Sequence, residues 1–143
     1  MSRALLDVNV LLALLDSDHA HHVVAQDWLR DNLTDGWASC PITENGFVRI
    51  LSQPRYPSPI SPGEAMSLLT RACGTQHHQF WPCDLSALDQ GVVDSSKIHG
   101  SKHVTDSYLL ALAVRHAGVF VTFDRAIPTT AVRRATPEHL VIL

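Results

Sequence analysis

Val104-Thr-Asp106-Ser-Tyr108-Leu109-Leu-Ala-Leu112-Ala113-Val-Arg-His116-Ala-Gly118-Val119-Phe-Val-Thr122-Phe-Asp124 sets a helix, a stop and a strand end to end. Tyr108, Leu109, Leu112 and Ala113 recur at helical spacing, so Thr105 to His116 is expected to be an amphipathic helix with Gly118 as its stop. Val119 to Thr122 is a continuous apolar run of strand length, closed by an acid. A helix leading straight into a strand buried on both faces is the repeating unit of a parallel α/β sheet.

The same alternation appears on working outward. Leu5-Leu6 ends at Asp7 and predicts a short buried strand, with a helix through Val10 to Leu15. His21 to Leu33 carries Val24, Trp28 and Leu29 at helical spacing. Gly36 to Cys40 reads as a second strand, and Pro41 opens a helix with Phe47, Val48 and Leu51 on one side. Pro54 to Pro62 is a proline-rich loop. Ser61-Pro62 caps a helix that runs to about Cys73. Gln79 to Pro82 is expected to be a third strand, Ser86 to Ser95 a further helix, Lys97 to His103 a polar loop, and Leu140 to Leu143 a closing strand. The expected architecture is a three-layer α/β/α sandwich on a central, mostly parallel sheet, with residues 1–143 forming a single domain.

The 143 residues are 45% hydrophobic and 17% charged, a composition that suits a compact soluble protein. Three cysteines, Cys40, Cys73 and Cys83, form no CxxC pair, which favours a reduced, cytoplasmic setting. The Leu-rich start is too short to span a bilayer and is interrupted by Asp7 and Asn9, so no membrane attachment is expected. A net charge of −3 argues against nonspecific coating of nucleic acid. Between Lys97 and Arg134, however, Lys97, Lys102, Arg115, Arg125, Arg133 and Arg134 face only Asp106 and Asp124. With those two acids neutralised by a cation, this half of the chain would attract a phosphate backbone.

Asp7, Glu44, Asp106 and Asp124 each fall at a strand end or a helix start inside an apolar pattern. Carboxylates in such surroundings need a compensating charge or hydrogen bonds. In an open parallel sheet, chemistry gathers outside the carboxyl ends of the strands, where strand order reverses. Convergence there would raise the pKa values of the acids, and a hard divalent cation is the usual remedy. Each acid also has an ordinary structural role open to it: Asp7 as an N-cap, Asp124 as a turn residue, Glu44 and Asp106 as favourable charges at helix N-termini.

The segments Leu6-Asp7-Val-Asn9-Val-Leu, Glu44, Asp106 with the following Ser-Tyr-Leu-Leu-Ala-Leu-Ala, and Gly118-Val-Phe-Val-Thr122-Phe-Asp124 resemble the PIN-domain nucleases. They are especially similar to the VapC-type toxins of prokaryotic toxin–antitoxin pairs. The resemblance extends through His21-His-Val-Val-Ala-Gln-Asp-Trp28-Leu and Asn45-Gly-Phe-Val-Arg49 and covers essentially the whole chain. It implies Mg²⁺-dependent cleavage of RNA, with Mn²⁺ able to substitute, leaving a 5′-phosphate and a 3′-hydroxyl. It implies that Asp7, Glu44, Asp106 and Asp124 bind metal, that Asn9 and Thr122 brace them, and that the protein forms a homodimer inhibited by a small cognate antitoxin. The apolar face of Ser61–Cys73 is a candidate dimer contact, and core packing explains it equally well.

Arg49 and Arg125 are candidates for contacting substrate phosphate, or alternatively for an internal ion pair with a catalytic carboxylate. His19, His21 and His22 beside Asp18 lack the spacing for a full coordination shell and read as a polar helix start. His77 and His78 read as loop residues, and Trp28, Trp37 and Trp81 as packing rather than base-stacking groups. Two other functions compete. One is a small-molecule phosphatase or phosphoacceptor domain, since Asp7-Val-Asn9 is similar to the DxD start of haloacid dehalogenase-type phosphatases, though its second acid is Asn. The other is a non-catalytic RNA- or protein-binding module whose acids are structural.

Overall fold

The computed structural model describes residues 2–143. Five parallel strands, β1 (Ala4–Leu6), β2 (Trp37–Ser39), β3 (His78–Phe80), β4 (Val119–Thr122) and β5 (Leu140–Ile142), form one sheet in the order β3-β2-β1-β4-β5. Leu5 lies opposite Ala38 on one side and Phe120 on the other. The helices are α1 (Val8–Leu15), α2 (His22–Asn32), α3 (Pro41–Leu51), α4 (Pro62–Cys73) and α5 (Val104–Arg115).

Side chains alternate across the strands and so feed two separate cores. Leu5 and Phe120 pack with Leu109, Leu112 and Trp81 on the α5 side. Ala4, Leu6 and Val121 pack with Val10, Leu11, Phe47 and Leu69 from α1, α3 and α4 on the opposite side. Both faces are therefore covered, as continuous apolar strands require. The three-layer α/β/α arrangement is borne out.

From β1 the chain winds outward through β2 to β3, then crosses back to β4 and β5. Strand order therefore reverses between β1 and β4, and a crevice opens at their carboxyl ends. Asp7 directly follows β1, and Asp124 lies two residues beyond β4.

One expected helix requires correction. Ser86 to Ser95 is not a helix but a string of turns, ending in an isolated antiparallel bridge from Val93 to Val132. Asp89 accepts a hydrogen bond from the Gly91 amide and Asp94 from that of Ser96, so local side-chain contacts hold the backbone in turns. Leu88 is 88% exposed, so the apolar spacing there does not mark a buried face. Gly118 stops α5 as expected, with Ala117 before it in the left-handed region at φ 55°. The Gly118 amide reaches back to Ala113 O and that of Ala117 to Val114 O, forming a Schellman closure. Gly118 is required for space: a Cβ there would lie 2.5 Å from Arg3 O and 2.6 Å from Trp81 Cη2.

Candidate active site

Asp7 is held on both carboxylate oxygens. The Val8 amide donates to Oδ1 at 2.7 Å, capping α1, and the Thr122 hydroxyl donates to Oδ2 at 2.6 Å. Thr122 is wholly buried at the end of β4, and its oxygen in turn accepts from the Asp124 amide at 3.1 Å and from Asn9 Nδ2 at 3.4 Å. Asn9 Oδ1 accepts from the Phe123 amide at 3.4 Å. One hydroxyl, with one proton and two lone pairs, thus ties together β4, the start of α1 and the Asp124 turn. Asp124 Oδ1 accepts from the Ala126 amide at 2.9 Å, which closes that turn.

Asp106 enters from the first turn of α5. Burial, the charge of Asp7, and a hydrogen-bonding contact and like charge from Asp124 push its carboxyl up to about 7. Burial also raises Asp7, against the lowering effect of Thr122 and Val8, with Asp124 adding to the rise. Neighbouring carboxyls that raise one another in this way favour a shared proton or a bound cation. The three aspartates still stand wider than a closed coordination shell, since their donor atoms do not all fall within 4.8 Å of one another. The donor set is all oxygen and suits a hard divalent ion that keeps part of its water shell.

Glu44 is positioned differently. It lies in the first turn of α3, which Pro41 opens, and its Oε2 accepts from the Ser39 hydroxyl at 2.6 Å. The charges acting on Asp106 come from Asp7 and Asp124, whereas Glu44 acts on Cys73 and His78. Burial raises the Cys73 thiol, with Glu44 adding to it, and burial lowers His78 despite the nearby Glu44 charge. The structure therefore brings three of the four acids together and turns the fourth toward Ser39, Cys73 and His78.

Arg49 lines a cleft of about 630 Å³ between α3 and α4 together with Glu44 and Met66. Arg125 is exposed beside Asp124. Among the described residues neither arginine forms an ion pair; Arg115 instead pairs with Asp84, and Arg133 with Asp94. The histidine trio is taken up by the fold. His21 stacks on Phe123 with ring centres 4.9 Å apart, the His22 ring meets Ala13 O at 2.7 Å, and His19 Nδ1 accepts from the His21 amide. Trp37 and Trp81 are buried. His78, read from sequence as a loop residue, instead begins β3 and bonds Ser39 at 2.8 Å. Sequence reasoning passed over Ser39, Cys73 and His78 together, because only the pairing of β2 with β3 makes them neighbours. No helix among the described residues is long and apolar enough to cross a membrane.

An acidic crevice at the switch point of this sheet is what the PIN domain builds, and the PIN domain family model matches residues 4–132. The chain belongs to that family. It is 60% identical over 141 residues to Ribonuclease VapC44 of Mycobacterium tuberculosis strain H37Rv, covering 99% of each chain. It is 41% identical over 142 residues to Ribonuclease VapC38 of the same strain, covering 98% of this chain and 99% of that one. Among solved structures it superposes on a crystal structure of VapBC2 from Rickettsia felis bound to a DNA fragment from their promoter. The TM-score is 0.58 at 13% identity, over 98% of this chain and 96% of that one, a likeness of fold. PIN nucleases generally use a divalent metal.

Proposed function

We propose that this protein is an endoribonuclease toxin of a type II toxin–antitoxin pair, hydrolysing RNA phosphodiesters with Mg²⁺, for which Mn²⁺ can substitute. The observation that carries the reading is the convergence of Asp7, Asp106 and Asp124 beyond the carboxyl ends of β1 and β4, where the charges of Asp7 and Asp124 both raise Asp106 and a bound cation would relieve the repulsion. The ribonuclease names of relatives at 60% and 41% identity support the substrate class.

Asp7, Asp106 and Asp124 would hold the ion, and Glu44 is the fourth acid of the set. A bound divalent ion supplies Lewis-acid activation of water and neutralises charge developing at the phosphate. Thr122 favours the ionised form of Asp7 and aims it by donating to it, and Asn9 steadies the Thr122 hydroxyl and the Phe123 backbone. Arg49 and Arg125 contact substrate phosphates, for which their unpaired guanidinium groups are suited. The cognate antitoxin would fill the acidic crevice, and the active form is a homodimer.

The test is cleavage of structured RNA by the purified protein in Mg²⁺ or Mn²⁺. Asp7→Asn and Asp106→Asn should each lower the rate by at least about 100-fold, since electrostatic stabilisation worth several kcal/mol is removed. Full-rate cleavage after both substitutions would reject the assignment.

A further inference from the structure

On the β2–β3 side of the sheet lies a second set of donors, of a different chemical kind. Glu44 from the first turn of α3, Cys73 from the end of α4 and His78 from the start of β3 each offer one ligand atom, and all three atoms lie within 4.8 Å of one another. We infer that Glu44, Cys73 and His78 form a binding site for a borderline-soft divalent ion of the Zn²⁺ type.

A carboxylate, a thiol and an imidazole together select zinc over magnesium, because a sulfur ligand has little affinity for a hard ion. Three protein ligands with a fourth position open to water match the usual open zinc shell. At the hub is the fully buried Ser39 hydroxyl, 2.6 Å from Glu44 Oε2, 2.8 Å from His78 Nε2 and 3.9 Å from Cys73 Sγ. Ser39 donates to Glu44, and its oxygen can accept from the Cys73 thiol and the His78 ring, so one hydroxyl gathers three potential ligand atoms.

The ligands are also held in place. The His78 ring packs against Trp37, with ring centres 4.5 Å apart, and bonds the Ser39 hydroxyl through Nε2. The turn from Cys73 to His78 is fixed by the Gly74 amide, which bonds Thr70 O and Arg71 O, and by the pairing of His78 with Trp37. Access is through the cleft of about 630 Å³ that Glu44 and Cys73 line. The site shares Glu44 with the acid set of the proposed nuclease but none of the three converging aspartates, so Cys73 and His78 test it separately from RNA cleavage.

The test is titration of the metal-free, full-length protein with Zn²⁺ by calorimetry and with Co²⁺ by absorption. With excess Mg²⁺ present to occupy the aspartates, one ion per chain is expected, with a thiolate-to-cobalt band. Cys73→Ser should abolish the band, and His78→Gln should weaken binding by about 10–100-fold or more. Cys83→Ser and Asp106→Asn should leave the thiolate-to-cobalt band unchanged, separating this site from the other thiol and from the aspartates. Circular dichroism establishes that each variant is folded before titration. The assignment is overturned if wild type takes up no stoichiometric Zn²⁺, if folded Cys73→Ser keeps the cobalt band, or if Asp106→Asn loses it.

Discussion

Replacing Asp106 by Asn removes one negative charge from a crevice that already holds Asp7 and Asp124. In the metal-free protein this should increase stability while destroying the proposed activity. Burial and its two acidic neighbours move the Asp106 carboxyl from 3.8 to about 7. Such a change corresponds to about 4 kcal/mol against the charged form. The site is only partly buried, and an amide must still be desolvated in its place. The recoverable part at pH 8 is therefore about 1–2 kcal/mol. For a chain of this size that is roughly 3–8 °C in melting temperature. The pH dependence has a definite sign. The folded-state pKa is raised, so between about 4 and about 7 the folded protein keeps a proton that the unfolded chain has released. Stability from this group is present below the unfolded value and is lost as pH rises through about 7. Asp7, also raised, acts in the same direction. Thermal melts of metal-free wild type should fall from pH 5 to pH 8, and Asp106→Asn should flatten that fall. Mg²⁺ should raise the wild-type melting temperature at pH 8 and leave the variant nearly unmoved. A variant less stable than wild type at pH 8 without metal, with its pH slope intact, would refute the reasoning.

Thr122→Val keeps the volume of a wholly buried residue but takes the hydroxyl from Asp7 and the acceptor from the Asp124 amide. A loss of about 2–4 kcal/mol in urea unfolding is expected, largely restored by Thr122→Ser. Gly118→Ala should destabilise by about 1–3 kcal/mol, because the new methyl meets the Arg3 carbonyl and the Trp81 ring. Gly63→Ala, with nothing within 4 Å and a place in the first turn of α4, should stabilise by up to about 0.5 kcal/mol in the same assay.

Much of the fold was legible because the periods are local. Leu5-Leu6 and Val119 to Thr122 are continuous apolar runs, and Pro41 and Ser61-Pro62 mark helix starts that the structure reproduces. The segment from Ser86 to Ser95 misled because Leu88, Val92 and Val93 mimic helical spacing. Only Val93 of these is fully buried, and it is buried by a bridge to Val132, a residue far along the chain. For the site, the sequence identified acids at the right edge but not where each side chain turns. Glu44 takes its direction from Ser39, five residues earlier, and from Cys73 and His78, which reach it across the sheet.

Residue order alone determined that strands and helices alternate, that Asp7 and Asp124 close strands, and that Asp106 opens a helix, because period and capping act over a few neighbouring residues. Tertiary structure alone decided that β1 lies beside β4, which brings Asp7 to Thr122 and Asp124 and raises Asp106. It likewise decided that β2 lies beside β3, which gathers Glu44, Cys73 and His78 around one hydroxyl. Strand neighbours are chosen by burying two apolar faces at once, and that choice depends on the whole chain.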